Sequence, residues 1–241
     1  MAYFHNMNLD ELTILPLGDT AIIINFENKI DETLNRKVLY LFHKFKKKSF
    51  PFVKDIVPAY SSITIFYDLL IMNNKNILNK FSLKSFTDHL KKLIEEDIEI
   101  SSLPSRKIKI PVCYSEKYAP DLEEISKKKN LLASEMVKLH TAKKYRVYMI
   151  GFLPGFAYMG EVDERIAISR KAQPRPIVEA GSVGIAGMQT GIYPLDSPGG
   201  WQIIGKTPMK MFSKEKDEPV LLQPGDEIEF YSITEDEFTN Y

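Results

Sequence analysis

Apolar positions along the first hundred residues follow two periods. Ala21-Ile22-Ile23-Ile24-Asn25-Phe26 is a short, β-branched run after the turn signal Gly18-Asp19, the pattern of a buried strand. Leu34, Val38, Leu41, Phe42 and Phe45 then fall on one face of a helix that Asp31 is placed to cap. Lys44 to Lys48 give that helix a basic end, which suits its dipole, and Pro51 stops it. Ile56-Val57 and the alternating Ile63, Ile65 and Tyr67 supply two further strands. Phe86, Leu90, Leu93, Ile94 and Asp97 mark a second amphipathic helix, so the segment forms a small α/β layer.

Ser101-Ser102-Leu103-Pro104-Ser105 is the best linker, being small and polar with a proline. It divides the chain into a domain of residues 1–103 and one of residues 104–241. Beyond it Ile108, Ile110 and Val112 alternate as a strand, and Asp121 to Lys129 and Ser134 to His140 suit two short helices. From Tyr145 the pattern becomes short apolar pieces broken by Gly and Pro every few residues, the mark of a β-sandwich or barrel. Val220-Leu221-Leu222, a turn at Pro224-Gly225-Asp226, and Ile228 to Tyr231 predict a closing hairpin. The fold class expected is α+β, a small α/β domain followed by a β domain.

Composition narrows the function classes. With 241 residues the chain can bury a real core in one large or two small domains. Its 32 basic and 32 acidic side chains leave no net charge, which argues against a general nucleic-acid binder or a polybasic membrane anchor. The single cysteine, Cys113, excludes a disulfide framework and a cysteine-rich zinc site and fits a reducing cytoplasm. MAYFHNMNLDEL shows no signal-peptide pattern, and no apolar run approaches the roughly 18 residues of a membrane span. A cytoplasmic protein is expected.

Glycine then locates the chemistry. Ten of the 12 glycines fall between residues 151 and 205, a window with only nine charged residues. Gly151-Phe152-Leu153-Pro154-Gly155-Phe156 joins aromatics to turn residues, Gly181, Gly184 and Gly187 recur by threes, and Ser197-Pro198-Gly199-Gly200-Trp201 holds the one tryptophan. Such turns can form an anion-binding nest, which Arg170, Lys171 and Arg175 just upstream would complete for a phosphate or carboxylate. Glycines in a β domain also mark bulges and tight corners, so both readings stand. Neither GxxxxGK[ST] nor GxGxxG occurs. The four histidines, His5, His43, His89 and His140, have no metal-ligand spacing, and no metal site is expected. His140 suits a cap or packing role, Cys113 a buried strand position, Lys127 to Lys129 an exposed helix end, and Asp163-Glu164 a solvated loop. Ser182 has no histidine base in the window. The residues alone lead to a small-ligand or partner site in a glycine-rich β domain.

The long motifs carry a resemblance. Gly151 to Met159, Ser169 to Arg175, Ala180 to Pro194 and Ser197 to Pro208 are similar to the B subunit of bacterial ATP-dependent 5-oxoprolinase, the KipI-like family. That family has also been labelled allophanate hydrolase subunit 1, and it is related to the carboxyltransferase region of urea carboxylase. Pro16-Leu-Gly-Asp19, Asp55 to Tyr60, Pro120 to Glu123 and Pro224-Gly-Asp226 match further signatures in order, so the resemblance spans roughly residues 12 to 231. It implies a cyclophilin-like barrel for the second domain. It also implies two partners, a KipA-like C subunit and a LamB/YcsF-type A subunit, and cleavage of 5-oxoproline to glutamate with ATP and Mg²⁺. By the same resemblance Arg170, Arg175, Gly181, Ser182, Gln189, Thr190, Ser197, Gly199 and Gly200 would contact substrate or anion. Phe152, Pro154, Phe156 and Trp201 would form a pocket wall or partner surface. Two other functions come with the family: inhibition of a sporulation histidine kinase, and allophanate or urea processing. Ser115 to Ala119 replaces a usual glycine-rich stretch, and Glu179 a usual proline.

Overall fold

The computed structural model describes residues 12–27, 29–72, 82–95 and 105–241, in two compact units, 1–104 and 105–241. Of the linker read at 101–105, residues 101–104 lie outside the described residues, as does Asp97. In the first unit β1 (Thr13–Pro16), β2 (Ala21–Asn25), β3 (Val53–Pro58) and β4 (Ser62–Tyr67) form an antiparallel sheet ordered β1-β2-β4-β3. The helices are α1 (Glu32–Lys48), a short α2 (Leu69–Met72) and α3 (Leu83–Glu95). Asp31 caps α1 as its position predicts, its Oδ1 accepting from Leu34 N at 2.7 Å. Ser49, in the left-handed region, ends the helix after three lysines. Val38, Leu41 and Phe45 of α1 and Phe86 and Leu90 of α3 join Ile22, Ile24, Ile63 and Ile65 of the sheet in one core. Each such buried side chain contributes about 2 kcal/mol, so a charge at Val38 would undo the layer.

The second unit is a closed barrel. Its seven strands are β5 (Lys107–Cys113), β6 (Lys144–Ile150), β7 (Ala157–Gly160), β9 (Ser182–Ala186), β10 (Gln189–Ile192), β12 (Gln202–Lys206) and β13 (Glu227–Ile233). They run in the order β10-β7-β6-β13-β5-β12-β9, and β9 pairs back to β10. Between β5 and β6 lie α4 (Leu122–Lys129) and α5 (Ala133–Thr141), and α6 (Glu235–Thr239) follows β13. β8 (Arg175–Val178) and β11 (Ser197–Gly199) pair with each other as a separate ribbon. The α+β class of the sequence reading is the class observed. Alternate strand positions fill the barrel interior, among them Ala157, Met159, Val183, Ile185, Ile192 and Ile204.

The closing hairpin does not form. Residues 220–222 are not one of its strands: Val220 bridges Phe212, and Leu221 N donates to Met211 O. β13 instead runs parallel to β5 in seven-residue register. The reason is Asp226, nearly buried, whose carboxylate takes Arg106 Nε at 2.8 Å, Arg106 Nη2 at 2.5 Å and Gln223 N at 2.7 Å. That ion pair ties the turn to the start of β5 and sends the chain along it rather than back on itself.

Candidate functional site

The glycine-dense window builds a second apolar layer on the outside of the barrel. Because side chains alternate along a strand, the neighbours of the interior residues face outward: Tyr158 on β7, Gly184 and Ala186 on β9, Gly191 on β10, Ile203 on β12. Gly184 and Gly191 are direct cross-strand partners. A Cβ at Gly184 would lie 3.1 Å from Trp201 Cβ, and one at Gly191 would lie 3.0 Å from the indole ring. The glycine pair is therefore the flat seat on which the single tryptophan rests. Phe156 meets Trp201 edge-on at 5.3 Å and 84°, and Tyr193 at 5.3 Å and 84°. Val178 of the ribbon completes the cluster. Gly199 is needed for the same close packing, since a Cβ there would sit 2.4 Å from the Tyr193 hydroxyl oxygen.

This layer walls a cavity of about 300 Å³. Phe152, Phe156, Tyr158, Tyr193 and Trp201 give it aromatic walls, Gly199 and Gly200 a backbone edge, and Arg170 and Lys171 a cationic rim. A broader cleft of about 770 Å³ adjoins it, sharing Arg170 and Lys171 and adding Lys128, Lys129 and Glu124. Among the described residues no histidine, thiol or carboxylate lines the smaller cavity. Its chemistry is recognition: apolar ring contact on one side, anion contact on the other. Burial pushes the Tyr193 and Tyr158 hydroxyls up, so both stay protonated at neutral pH.

The rim is held from beneath by Asp121, 2% exposed, at the start of α4. Its carboxylate forgoes the usual capping bond and accepts from Lys171 Nζ at 2.8 Å, Arg175 Nη2 at 2.5 Å and Ile203 N at 2.6 Å. Burial by itself would raise this carboxyl, but the hydrogen bonds from Arg175, Lys171 and Ile203 outweigh it and hold the group below its ordinary value. Lys171 N also donates to Gly200 O at 2.7 Å, and Gln202 Nε2 to Ser169 O at 3.1 Å, so the 169–171 loop is fixed on several sides. Among the described residues two buried side-chain polar atoms have no hydrogen-bond partner, Arg175 Nη1 and Ser197 Oγ, both on the ribbon.

The structure brings Phe152, Phe156, Arg170, Gly199, Gly200 and Trp201 together around the cavity. Arg175 sits behind it on Asp121, and Pro154 is exposed on the adjoining turn. The other sequence candidates lie elsewhere. Gly181 occupies a turn at φ +85, where a Cβ would strike Thr207 O at 2.4 Å. Ser182 is buried at the start of β9, and Gln189, half-buried, begins β10. Thr190 is fully buried, its hydroxyl donating to Gly184 O at 3.0 Å and meeting His140 Nε2 at 3.0 Å. Residues 182–186 are thus a barrel strand paired on both sides rather than a convergent nest. Glu179 pairs with Lys206, and Ser115 to Ala119 forms a tight turn closed on Ser115 O. Sequence reasoning left out Tyr158, Tyr193 and Asp121. Tyr193 stands inside the longest motif and Asp121 inside Pro120-Asp-Leu-Glu123, so the signal was present, but nothing in the spacing brings them to Trp201 or Lys171.

Among the described residues no group of three or more His, Cys, Asp or Glu is arranged to hold a metal ion, and no helix is long and apolar enough to cross a membrane. Cys113 is buried in β5. Asp163 binds Arg165, whose hydrogen bonds hold its carboxyl well below the usual range.

A small barrel carrying an external aromatic cavity defines a class. The carboxyltransferase domain family, subdomain C and D, matches residues 12–222. The chain is 41% identical to the 5-oxoprolinase B subunit of Bacillus subtilis (strain 168), over 93% of its own length and 94% of that protein's. It is 36% identical to the 5-oxoprolinase B subunit of Escherichia coli O157:H7, over 89% and 93%. The crystal structure of TTHA0988 superposes with a TM-score of 0.74 at 32% identity, over 88% of this chain, which spans only 40% of that longer one. This chain belongs to the 5-oxoprolinase B-subunit family of carboxyltransferase-type domains.

Proposed function

We propose that this chain is the B subunit of an ATP-dependent 5-oxoprolinase. With a KipA-like C subunit and a LamB/YcsF-type A subunit, it cleaves 5-oxoproline to glutamate. The observation that carries this is the cavity: aromatic walls of ring size meet two cations, Arg170 and Lys171, at one rim. A five-membered lactam acid presents a flat apolar face and a carboxylate, the two features such a site recognises. The near full-length likeness to the two bacterial B subunits supports the same substrate.

The lactam is a poor electrophile. Transfer of the ATP γ-phosphoryl to its carbonyl oxygen, releasing ADP, makes that oxygen a leaving group. Water then adds to the carbon and the ring C–N bond breaks, the nitrogen leaving as the protonated amine and the carbon remaining as an acyl phosphate. A second water displaces the phosphate and leaves glutamate. In this chain the cavity residues bind and orient the ring and exclude water. ATP would bring its Mg²⁺ on its own phosphates, and the cleft of Lys128, Lys129, Arg170 and Lys171, with Glu124 paired to Lys128, is a net cationic surface adjoining the cavity that suits phosphate.

Reconstitution tests the reading. The purified chain alone is expected to release no glutamate, and the three proteins together to release it only with ATP and 5-oxoproline. Inactivity of the assembled complex would refute the 5-oxoprolinase reading. Arg170→Ala is expected to raise KM for 5-oxoproline about tenfold, the loss of one charge-assisted contact. An unchanged KM in an intact complex would remove the cavity from the site.

A further inference from the structure

The loop joining β6 to β7 holds a strained residue that the substrate reading does not explain. Among the described residues three that are not glycine have positive φ: Ser49, Asn130 and Phe152. Ser49 and Asn130 end helices, where a left-handed residue is routine. Phe152, at φ +69, does not. It is the centre of a three-residue turn in which Leu153 N donates to Gly151 O at 2.9 Å. This is the positive-φ form of the γ-turn, rare and strained for a side chain with a Cβ. Burial does not compensate, since Phe152 is 61% exposed. Its ring stands edge-on to Phe156 at 5.6 Å and to Tyr193 at 6.5 Å, over the cavity those two line. The loop is closed beneath it by Gly151 N to Phe156 O at 3.1 Å and Phe156 N to Leu153 O at 3.0 Å.

A glycine at 152 would adopt this turn without strain, so local stability does not account for a phenylalanine. We propose that Phe152 is a ligand-clamping residue, held by the strained turn as a lid over the aromatic cavity. Its ring closes on the flat face of a small cyclic carboxylate whose charge is taken by Arg170 and Lys171. Contact with the ligand supplies the packing that the ring's exposure to solvent denies it. Naming 5-oxoproline as that carboxylate rests on the function proposed above; the lid itself does not.

The experiment uses Phe152→Gly, Phe152→Ala and Phe152→Trp in the full chain and in the assembled complex. Melting is followed by Trp201 fluorescence, and binding of 5-oxoproline and of pyrrole-2-carboxylate by calorimetry. Ala retains the positive-φ penalty and Gly does not, so the Gly variant is expected to melt roughly 3 °C above the Ala variant. Both are expected to lose about tenfold in affinity, while Trp, which keeps an aromatic face, stays within about threefold of the parent. An Ala variant at least as stable as the Gly variant would show that the turn stores no strain, and would overturn the proposal. So would a Gly variant that binds as tightly as the parent. If the parent binds pyrrole-2-carboxylate but not 5-oxoproline, and does so through Phe152, the lid stands and the 5-oxoproline reading falls. If it binds neither, both fall.

Discussion

Acidification to pH 5 should destabilise the barrel through His140. This side chain is fully buried on α5, stacked on Phe230 at 4.7 Å and 26°. Thr190 gives its hydroxyl proton to Gly184 O, so His140 Nε2 must be the donor to Thr190 Oγ1, at 3.0 Å. Nδ1 is then the acceptor from the Tyr114 hydroxyl, at 2.8 Å. The neutral ring is fully satisfied in this one tautomer, and desolvation pushes its pKa from 6.5 to about 3. The unfolded chain takes up a proton as pH falls through 6.5, whereas the folded barrel takes none until about pH 3. Stability is therefore complete above about pH 7 and declines by about 1.4 kcal/mol for each pH unit within that window.

Between pH 7.5 and pH 5 the expected loss is about 2 kcal/mol, a large share of the 5–15 kcal/mol that holds a typical domain folded. Urea unfolding at the two pH values measures it, with Trp201 as probe. The chain has one tryptophan, 5% exposed and packed on the barrel, so its emission reports this unit. His140→Gln keeps a donor and an acceptor but cannot be protonated. It is expected to start less stable at pH 7.5 and to lose about 2 kcal/mol less than the parent on acidification. Equal losses in the two proteins would refute the reasoning. An imidazole resonance of His140 that titrates near pH 6 would do so independently.

Asp121→Asn removes the negative charge shared by Lys171 and Arg175, and should cost about 3 kcal/mol in urea unfolding. Because it also frees the rim lysine, affinity for 5-oxoproline should fall with it. Gly199→Ala forces a Cβ against the Tyr193 hydroxyl and should cost about 1–3 kcal/mol, whereas at Gly200, with its nearest neighbours at 3.8 Å, the same change should stay within about 0.5 kcal/mol. A Gly200→Ala variant as unstable as Gly199→Ala would show that Tyr193 does not pack as described.

Most of the first unit was legible because its longer elements each advertise a single period, whereas β1 and α2, four residues each, are too short to show one and were not read. Helix α1 carries Val38, Leu41 and Phe45 on one stripe behind a capping Asp31, and β4 alternates without interruption. The end of the barrel was not legible, because alternation from Ile228 to Tyr231 looks the same whichever strand it joins. The partner was decided by Asp226 and Arg106, 120 positions apart, and no local pattern records that ion pair. Asp121 was obscured in the same way. At a helix start it looks like a cap, yet its partners Lys171, Arg175 and Ile203 come from 50 to 82 positions downstream.

The crowding of glycine between 151 and 205 has two causes, and they explain why its spacing alone left two readings open. Gly184 and Gly191 lie opposite each other on β9 and β10, and their lack of side chains lets Trp201 lie against the strands. Gly199 lets Tyr193 reach the ribbon in the same way. These positions serve close packing, and none of them needs an anion. Without that packing, however, Trp201 and Tyr193 would not stand where they wall the cavity, and Phe152 would have no floor to cover. Packing glycines and a binding surface are therefore not alternatives in this window: the glycines thin the barrel wall, and the aromatic rings seated in the thinned region form the cavity.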